Sequence, residues 1–258
     1  MRGKISIFLL AGLVVSLCAL TTLVQAEEQK AQLYFVREAA VKPSRVMEYA
    51  AIVKELVALE TKHEFPYPIY AYGTDDFIFY HSIPLENSAD LDNLGKAMDE
   101  LMSKIGAEQG QKIQKLAEGT TEYRKDGLVL LRPDLSYTPE NPRLKPEEAN
   151  FYFWTFFYIR PDKEKEAEEI AKKFVALNKS KNIPDGYDFY VAIMGTEAPL
   201  FIIIQKAKSA ADFYSPDNNN LLGEEGKALW EKVWSLVRKY ETKQGWFRPD
   251  ISYIPKEK

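Results

Sequence analysis

The stretch RPDLSYTP at residues 132–139 recurs as RPDISYIP at residues 248–255, a shift of 116 positions. The pattern AxxYF at residues 31–35 likewise recurs at residues 149–153, a shift of 118. Blocks that repeat in the same order along a chain indicate an internal duplication, and unequal shifts indicate loops that differ in length between the copies. The sequence therefore predicts one structural unit present twice, at residues 27–139 and 149–258, joined by a proline-rich linker at residues 140–148.

Each copy shows the same order of elements. An aromatic-rich strand leads through a proline into an amphipathic helix, and two further strands follow. The Gly-Thr pair at residues 73–74, matched with that at 195–196 at a shift of 122, is predicted to lie in the hairpin turns. More helix and a last strand complete a βαββαβ unit. The predicted strands are 32–37, 69–73, 77–83, 151–159, 189–195 and 200–205, and the predicted helices are 44–63, 91–105, 111–123, 162–181 and 227–240.

The first strand of the second copy indicates how the two units pack. A βαββαβ unit forms an antiparallel sheet with both helices on one face. Residues 151–158 contain seven aromatic residues in eight positions, so both faces of that strand are apolar. One face can pack on the helices, and the other needs a second sheet. We therefore expect the sheet of the other copy to cover it, about a pseudo-twofold axis.

This duplication and element order resemble the dimeric α+β barrel superfamily, with both halves fused in one chain. The resemblance implies an α+β fold of two tandem ferredoxin-like βαββαβ repeats, packed sheet to sheet as a pseudo-dimeric α+β barrel. The superfamily includes cofactor-independent monooxygenases, haem-binding and haem-degrading proteins and chlorite dismutase-like enzymes. The sequence matches no signature of a specific member family.

The N-terminal residues predict export. Residues 1–4 are a short basic start, residues 5–24 are almost wholly apolar, and small residues precede two glutamates at 27–28. This is the pattern of a signal peptide that covers residues 1–26. A membrane anchor is the alternative, because the apolar run is long enough to span a bilayer. We expect a periplasmic or extracellular protein with no stable membrane anchor after cleavage.

Composition excludes several classes of function. Removal of residues 1–26 takes away Arg2, Lys4 and the single cysteine, Cys18, and changes the formal charge from −4 to −6. Without thiols the mature chain has no disulfide, thiolate nucleophile or cysteine metal site. Without a basic excess it is not expected to bind nucleic acid. No spacing of acidic or histidine residues predicts a metal site, and no cofactor-binding motif is present.

Two histidines are the candidate haem ligands, since the superfamily includes haem proteins. His63 follows a predicted helix, where exposure to solvent or a contact with the helix C-terminus explains it. His81 lies in a predicted strand and shares a face with Phe77 and Phe79 by alternation. Packing in the core or in a pocket is the alternative to a catalytic role for His81.

Aromatic residues on the predicted strands are the candidate lining of a pocket between the sheets. Phenol and indole groups need polar partners when they are buried, so several of them around one space would suit a flat aromatic ligand. Core packing is the alternative. The predicted ligand-binding residues are His81, Tyr34, Tyr72, Trp154, Tyr190, Arg132 and Arg248.

The repeated Arg-Pro-Asp segment has two interpretations. If the segment is extended, Arg132 and Asp134 share one face and could hold an anionic ligand at a cavity mouth. Alternatively, an Arg–Asp ion pair fixes the end of each copy and the tyrosine packs across the copies. Recurrence in both halves favours this structural motif, which consists of Arg132, Asp134, Tyr137, Arg248, Asp250 and Tyr253.

The leading functional hypothesis is an exported protein that binds a small apolar or aromatic ligand between its two sheets. A cofactor-independent oxygenase that uses Tyr, Trp or His81 in the same space is the second hypothesis. The third is a cell-envelope interaction protein whose barrel is solid. A cavity would separate the first two hypotheses from the third.

Overall fold

The computed structural model describes residues 30–215 and 221–256, so the predicted signal peptide lies outside the described residues. Within these residues no helix combines the length and the apolarity needed to cross a membrane. The strands are β1 (Gln32–Val41), β2 (Tyr70–Thr74), β3 (Ile78–Leu85), β4 (Thr121–Leu131), β5 (Phe151–Ile159), β6 (Tyr187–Met194), β7 (Leu200–Ala207) and β8 (Val237–Phe247). The helices are α1 (Val46–Lys62), α2 (Asp90–Ile105), α3 (Ala107–Ala117), α4 (Glu164–Ser180), α5 (Ala210–Phe213) and α6 (Gly223–Leu236).

The strands form one closed antiparallel barrel in the order β1-β3-β2-β8-β5-β7-β6-β4. The first half contributes β4-β1-β3-β2 and the second contributes β8-β5-β7-β6. The halves join edge to edge, through β2 with β8 and β4 with β6. The predicted α+β class and barrel are therefore confirmed. The two sheets are not separate layers, because hydrogen bonds at both edges leave no free strand.

Strand register shows how the two halves correspond. Helix α4 repeats α1 at a shift of 118 with the same length. Leu131 pairs with Tyr190 at one seam and Phe247 pairs with Tyr72 at the other, so Tyr190 is the counterpart of Tyr72. The sequence match of Gly73 with Gly195 is therefore wrong. Gly73 is a β2 residue, whereas Gly195 follows β6. The path from Tyr190 to its partner Ile202 is four residues longer than the path from Tyr72 to its partner Tyr80.

Two predicted helices are too long at their C-terminal ends. The helix predicted at 111–123 ends at Ala117, and Thr121 and Tyr123 belong to β4, paired with β1. The helix predicted at 227–240 ends at Leu236, and Tyr240 lies on β8 opposite Phe157. Helical spacing continues through both segments, but strand pairing there satisfies the backbone groups and overrides it.

The helices cover the outer face of the barrel and leave the inner face for the lumen. On the first half, Ile83, Leu85 and Leu94 belong to one buried cluster. On the second half, Phe157, Ile170 and Leu236 belong to another. Because side chains alternate along a strand, the residues between these positions point to the inside of the barrel.

A buried carboxyl on α1 makes the stability of the first half depend on pH. Glu60 is 7% exposed. Burial raises the pKa of its carboxyl from 4.5 to about 7, because a low-dielectric environment disfavours the charged form. The native protein therefore holds this proton more tightly than the unfolded chain does between these values. Stability contributed by this group falls as the pH rises from about 4.5 to 7.

Glu60→Gln is expected to raise the free energy of unfolding at pH 8 by about 1–3 kcal/mol, since a tenfold change in proton affinity corresponds to about 1.4 kcal/mol. At pH 4 the carboxyl is protonated in both states and the gain should vanish. Asn178, the counterpart in α4, is already an amide and donates to Phe174 O at 2.7 Å. Urea unfolding at pH 4, 6 and 8 measures the effect, with the exposed Glu100→Gln as control. A gain that is independent of pH would contradict the assignment to Glu60 ionisation.

Candidate functional site

A cavity of about 340 Å³ occupies the inside of the barrel. Its walls come from strands of both halves, because every strand turns alternate side chains inward. The barrel is therefore not solid, whereas the third hypothesis from the sequence requires a solid barrel. The lining residues are Tyr34, Val36, Tyr70, Tyr72, Tyr80, Ser82, Val129, Leu131, Tyr152, Trp154, Phe156, Asp188, Tyr190, Ile202, Ile204 and Lys206.

Aromatic rings form one wall of the cavity. Tyr152 and Trp154 stack with their ring centroids 5.8 Å apart and an interplanar angle of 24°. Tyr72 meets both rings edge-on, 5.0 Å from Tyr152 and 6.0 Å from Trp154. Across the cavity, Tyr34 lies 5.9 Å from Tyr190. Offset and edge-on contacts of this kind leave ring faces available to a flat guest molecule.

Further along the barrel, the inner positions carry charged and hydrogen-bonded groups. The Tyr123 hydroxyl donates to Glu38 Oε1 at 2.8 Å, and the Tyr158 hydroxyl donates to Glu241 Oε2 at 2.9 Å. Lys243 forms an ion pair with Asp76. Tyr158, Phe156 and Ile78 belong to the buried cluster that adjoins these pairs. Paired charges and packed side chains therefore fill that part of the lumen and confine the cavity to the rest.

Five phenols of the cavity have no protein partner for their hydroxyl groups among the described residues. All five side chains line the cavity. Burial raises the pKa of most of them, and for Tyr72 and Tyr190 the rise is large. The four phenols with raised pKa values are therefore neutral groups that can both donate and accept a hydrogen bond at physiological pH. The five are Tyr34, Tyr70, Tyr72, Tyr152 and Tyr190.

One ion pair lines the same cavity, and neither of its residues was predicted from the sequence. Lys206 Nζ lies 2.7 Å from Asp188 Oδ2, and the two side chains are 40% and 33% exposed. After burial, the Asp188 carboxylate is the next cause that raises the pKa of Tyr34 and Tyr190. Asp188 is therefore close to several phenols. Alternation is the signal that could have found them, because Asp188 shares a strand face with Tyr190 and Lys206 shares one with Ile204.

Tyr80 is the most deeply buried phenol of the cavity wall. Its hydroxyl is buried without a hydrogen-bond partner among the described residues. Burial, followed by the nearby Glu38 carboxylate, raises its pKa well above the usual value. A buried hydroxyl without a partner costs about 1–3 kcal/mol. It is thus the sixth phenol in the wall of the cavity without a hydrogen-bond partner among the described residues.

The structure places the predicted ligand-binding residues in three different environments. Tyr34, Tyr72, Trp154 and Tyr190 line the cavity together. Whether they bind a ligand stays a prediction. The other predicted residues, His81, Arg132 and Arg248, lie elsewhere.

The prediction that His81 lies in the lumen is wrong. His81 alternates with the lumen residues Tyr80 and Ser82, so it shares the outer face with Phe79 and points to α1. The Tyr49 hydroxyl of that helix lies 2.9 Å from His81 Nε2. Burial, together with the charge of Arg37, lowers the pKa of His81 to about 4. His81 is thus a neutral packing residue under α1. His63, the other histidine, follows α1 directly at its C-terminus.

Neither motif arginine reaches the cavity, because carboxylates hold both. Arg132 donates to both Asp134 oxygens, at 2.8 and 2.7 Å, and also to Glu168 at 3.1 Å. Arg248 donates to both Asp250 oxygens at 2.8 and 2.9 Å. The segment is not extended as one interpretation assumed. It turns, and Pro249–Ile251 is a 3-10 turn, because proline at its first position favours that geometry.

Each motif joins its own half of the barrel to the other half. The Ser136 hydroxyl accepts from Phe189 N of β6 at 2.8 Å, and the Ser252 hydroxyl accepts from Ala71 N of β2 at 2.9 Å. The Tyr137 hydroxyl donates to Ile183 O, and the Tyr253 hydroxyl makes the equivalent bond to Phe65 O. The two sets of contacts are reciprocal. The motif therefore has a structural role at the two seams.

No protein-family model matches the chain, and no curated protein matches it in sequence. Solved structures do match it in fold. An anthrone oxidase-like protein aligns at 12% identity with a TM-score of 0.58, over 86% of this chain and 93% of that one. A proposed monooxygenase from Fusobacterium nucleatum subsp. nucleatum aligns at 11% identity with a TM-score of 0.53, over 85% and 93%. A proposed monooxygenase from Lactobacillus acidophilus aligns at 10% identity with a TM-score of 0.50, over 88% and 100%.

These similarities define the class of fold. The closed eight-stranded antiparallel barrel with helices on its outer face is that of the dimeric α+β barrel proteins. At identities of 10–12% the similarity concerns the fold alone, because one fold hosts many functions.

Proposed function

We propose that this protein binds a small planar aromatic molecule with hydroxyl or carbonyl groups, such as a phenol or quinone, inside the barrel. The observation that carries the proposal is the set of neutral phenols, without protein partners in the described part of the chain, around a cavity walled by stacked rings. A cavity of about 340 Å³ lies in the range of small-molecule sites. We also infer that each half is a ferredoxin-like unit and that the mature protein acts outside the cytoplasm, as the first 26 residues indicate.

The chemistry of the cavity selects among aromatic ligands. Ring faces at Tyr152 and Trp154 favour a flat guest, and the hydroxyls around it favour oxygen substituents at its edge. The ammonium group of Lys206, beside Asp188, can bind an acidic substituent of the ligand. A purely apolar ligand would leave the phenol hydroxyls unpaired as it displaces water, which costs affinity.

The test compares 1-naphthol with naphthalene, which lacks the hydroxyl. Wild-type protein is expected to bind 1-naphthol at least 5-fold more tightly, in isothermal titration or by quenching of naphthol fluorescence, since one neutral hydrogen bond contributes about 1 kcal/mol. The double variant Tyr72→Phe/Tyr190→Phe should lose this preference and keep its affinity for naphthalene. Tyr240→Phe, on the outer face of β8, is the matched control. Equal affinity of wild type for both molecules, or a preference that survives in the double variant, would contradict the proposal.

A second candidate function is oxidation of such a ligand by O₂ without a cofactor. The observation that favours it is the Asp188 carboxylate, which lies among the phenols and can accept a proton from an activated ring position. For anthrone, the ring methylene loses two hydrogens, one oxygen atom of O₂ becomes the new carbonyl, and the other leaves as water. The phenols and Lys206 would stabilise the intermediate anion.

Oxygen consumption with anthrone as substrate tests this second function. Wild type is expected to consume one O₂ per anthraquinone formed, above the rate of the uncatalysed reaction. Asp188→Asn should abolish the difference while naphthalene still binds. Binding of 1-naphthol without any acceleration of anthrone oxidation would leave the protein as a binding protein and remove the enzymatic candidate.

A further inference from the structure

A second cavity, of about 170 Å³, lies outside the barrel wall in the second half. It lies between α4, α6 and the outer faces of β5, β6 and β7, and it is partly open to solvent. Phe156 points to the lumen and Phe157 to this second cavity, so β5 separates the two spaces. Its lining includes Phe157, Ala167, Phe174, Phe201, Ile203 and Trp230.

Comparison of the two halves explains why this cavity exists. In the first half, Tyr49 of α1 fills the corresponding space. Its ring centroid lies 5.0 Å from that of Phe79, and its hydroxyl lies 2.9 Å from His81 Nε2. The shift of 118 places Ala167 where Tyr49 stands. An alanine there leaves unfilled the volume that the phenol ring occupies in the other copy.

The strand residues beneath the helix also differ between the two halves. Register pairs Tyr72 with Tyr80 in the first half and Tyr190 with Ile202 in the second, so β7 follows β3 at a shift of 122. Phe201 is therefore the counterpart of Phe79, and Ile203 is the counterpart of His81. The polar pair of the first half is replaced by two aliphatic side chains. On α4, Ala171 also replaces the larger Val53 and widens the space.

The lining is mainly apolar and aromatic. Phe157 and Phe174 both contact Trp230, with ring centroids 6.0 and 5.0 Å apart. Tyr187 contributes a phenol whose pKa burial raises, so it is a neutral donor. An engineered apolar cavity of about 150 Å³ in another protein binds benzene. A space of this size and chemistry therefore suits a single aromatic ring or a short branched alkyl chain.

We propose that this second cavity is a binding site for a small apolar molecule about one aromatic ring in size, created when the copies diverged at Tyr49 and Ala167. The site is independent of the lumen, because the backbone of β5 lies between them. A single ring that carries a hydroxyl can bond to Tyr187, whereas a larger polycyclic ligand of the lumen exceeds this space.

The test uses benzene as the probe and fills the cavity by one substitution. Wild-type protein is expected to bind benzene in this cavity, with chemical-shift changes for methyl groups of Ile203 and Val233 in carbon-13 spectra. Ala167→Tyr should weaken this binding at least 10-fold and leave the affinity for 1-naphthol in the lumen unchanged. The double variant Ala167→Tyr/Ile203→His rebuilds the Tyr49–His81 pair of the first half. It provides the same filled cavity if the single variant folds poorly.

A matched variant makes the opposite change in the first half. Tyr49→Ala should open an equivalent space under α1 and add one benzene site to those of wild type. Benzene binding that is identical in wild type and Ala167→Tyr would overturn the proposal, as would the absence of Ile203 shifts at saturating benzene. Neither result would bear on the lumen, since 1-naphthol reports on that site separately.

Discussion

Gly245→Ala is expected to lower the free energy of unfolding by about 3 kcal/mol or more. An alanine Cβ at this position would lie 2.2 Å from Gly73 O and 2.8 Å from Thr74 Cα. Both are backbone atoms of β2, so no flexible side chain can move aside. The seam of β2 with β8 has only three registered residue pairs. The strands must therefore separate, and the backbone groups that lose their partners each cost about 1–3 kcal/mol.

The expected loss is measured by urea unfolding, with Gly95→Ala as control. Gly95 lies exposed on α2, and an added Cβ meets nothing within 4 Å. Alanine should stabilise that helix by about 0.5–1 kcal/mol, because glycine costs this much inside a helix. Amide hydrogen exchange should show loss of protection in β2 and β8 first. A change of less than 1 kcal/mol for Gly245→Ala would show that the seam adapts easily.

The other seam uses glycine in the same way. A Cβ on Gly127 of β4 would lie 2.8 Å from Met194 O, and one on Gly195 would lie 2.2 Å from Asp126 O. Gly195 also has φ +86°, which L side chains rarely adopt. Close approach of the two halves is therefore built into the sequence at both seams, although a glycine inside a strand pattern does not by itself reveal which backbone approaches it.

The duplication made most of the fold predictable. Once the repeated blocks were aligned, each element of one copy supported the same element in the other, and α4 does follow α1 at the shift of 118. The helix ends were harder, because residues such as Tyr240 keep a helical spacing although strand pairing decides their state. The longer hairpin after β6 also misled the alignment of Gly195.

The candidate site was predictable only in part, because alternation gives two faces but not which face is the lumen. Tyr72 and Trp154 were expected to share the pocket and do so. His81 was expected there too, but it lies on the opposite face, toward Tyr49. Asp188 and Lys206 were missed because a charged residue on a strand ordinarily indicates exposure to solvent, although each shares a strand face with a residue of the lumen.

The repeated motif leads to the second large expected effect, which concerns Leu135 and Ile251. Both side chains are 0% exposed. Leu135 ends the first half but packs in the cluster of Phe157, Ile170 and Phe189 in the second half. Ile251 ends the second half but packs with Ala39 and Phe79 in the first. Each residue therefore completes the hydrophobic core of the other half.

Leu135→Ala and Ile251→Ala are each expected to lower the free energy of unfolding by about 2–5 kcal/mol, the cost of removing a fully buried aliphatic side chain. Urea unfolding measures the loss, and Ile254→Ala, whose side chain is 63% exposed, should change it by less than about 0.5 kcal/mol. Amide exchange tests the reciprocal packing. Leu135→Ala should expose amides of α4, and Ile251→Ala should expose those of α1. If each variant instead loosens only the half to which it belongs in sequence, the two halves are held together by their strand edges alone.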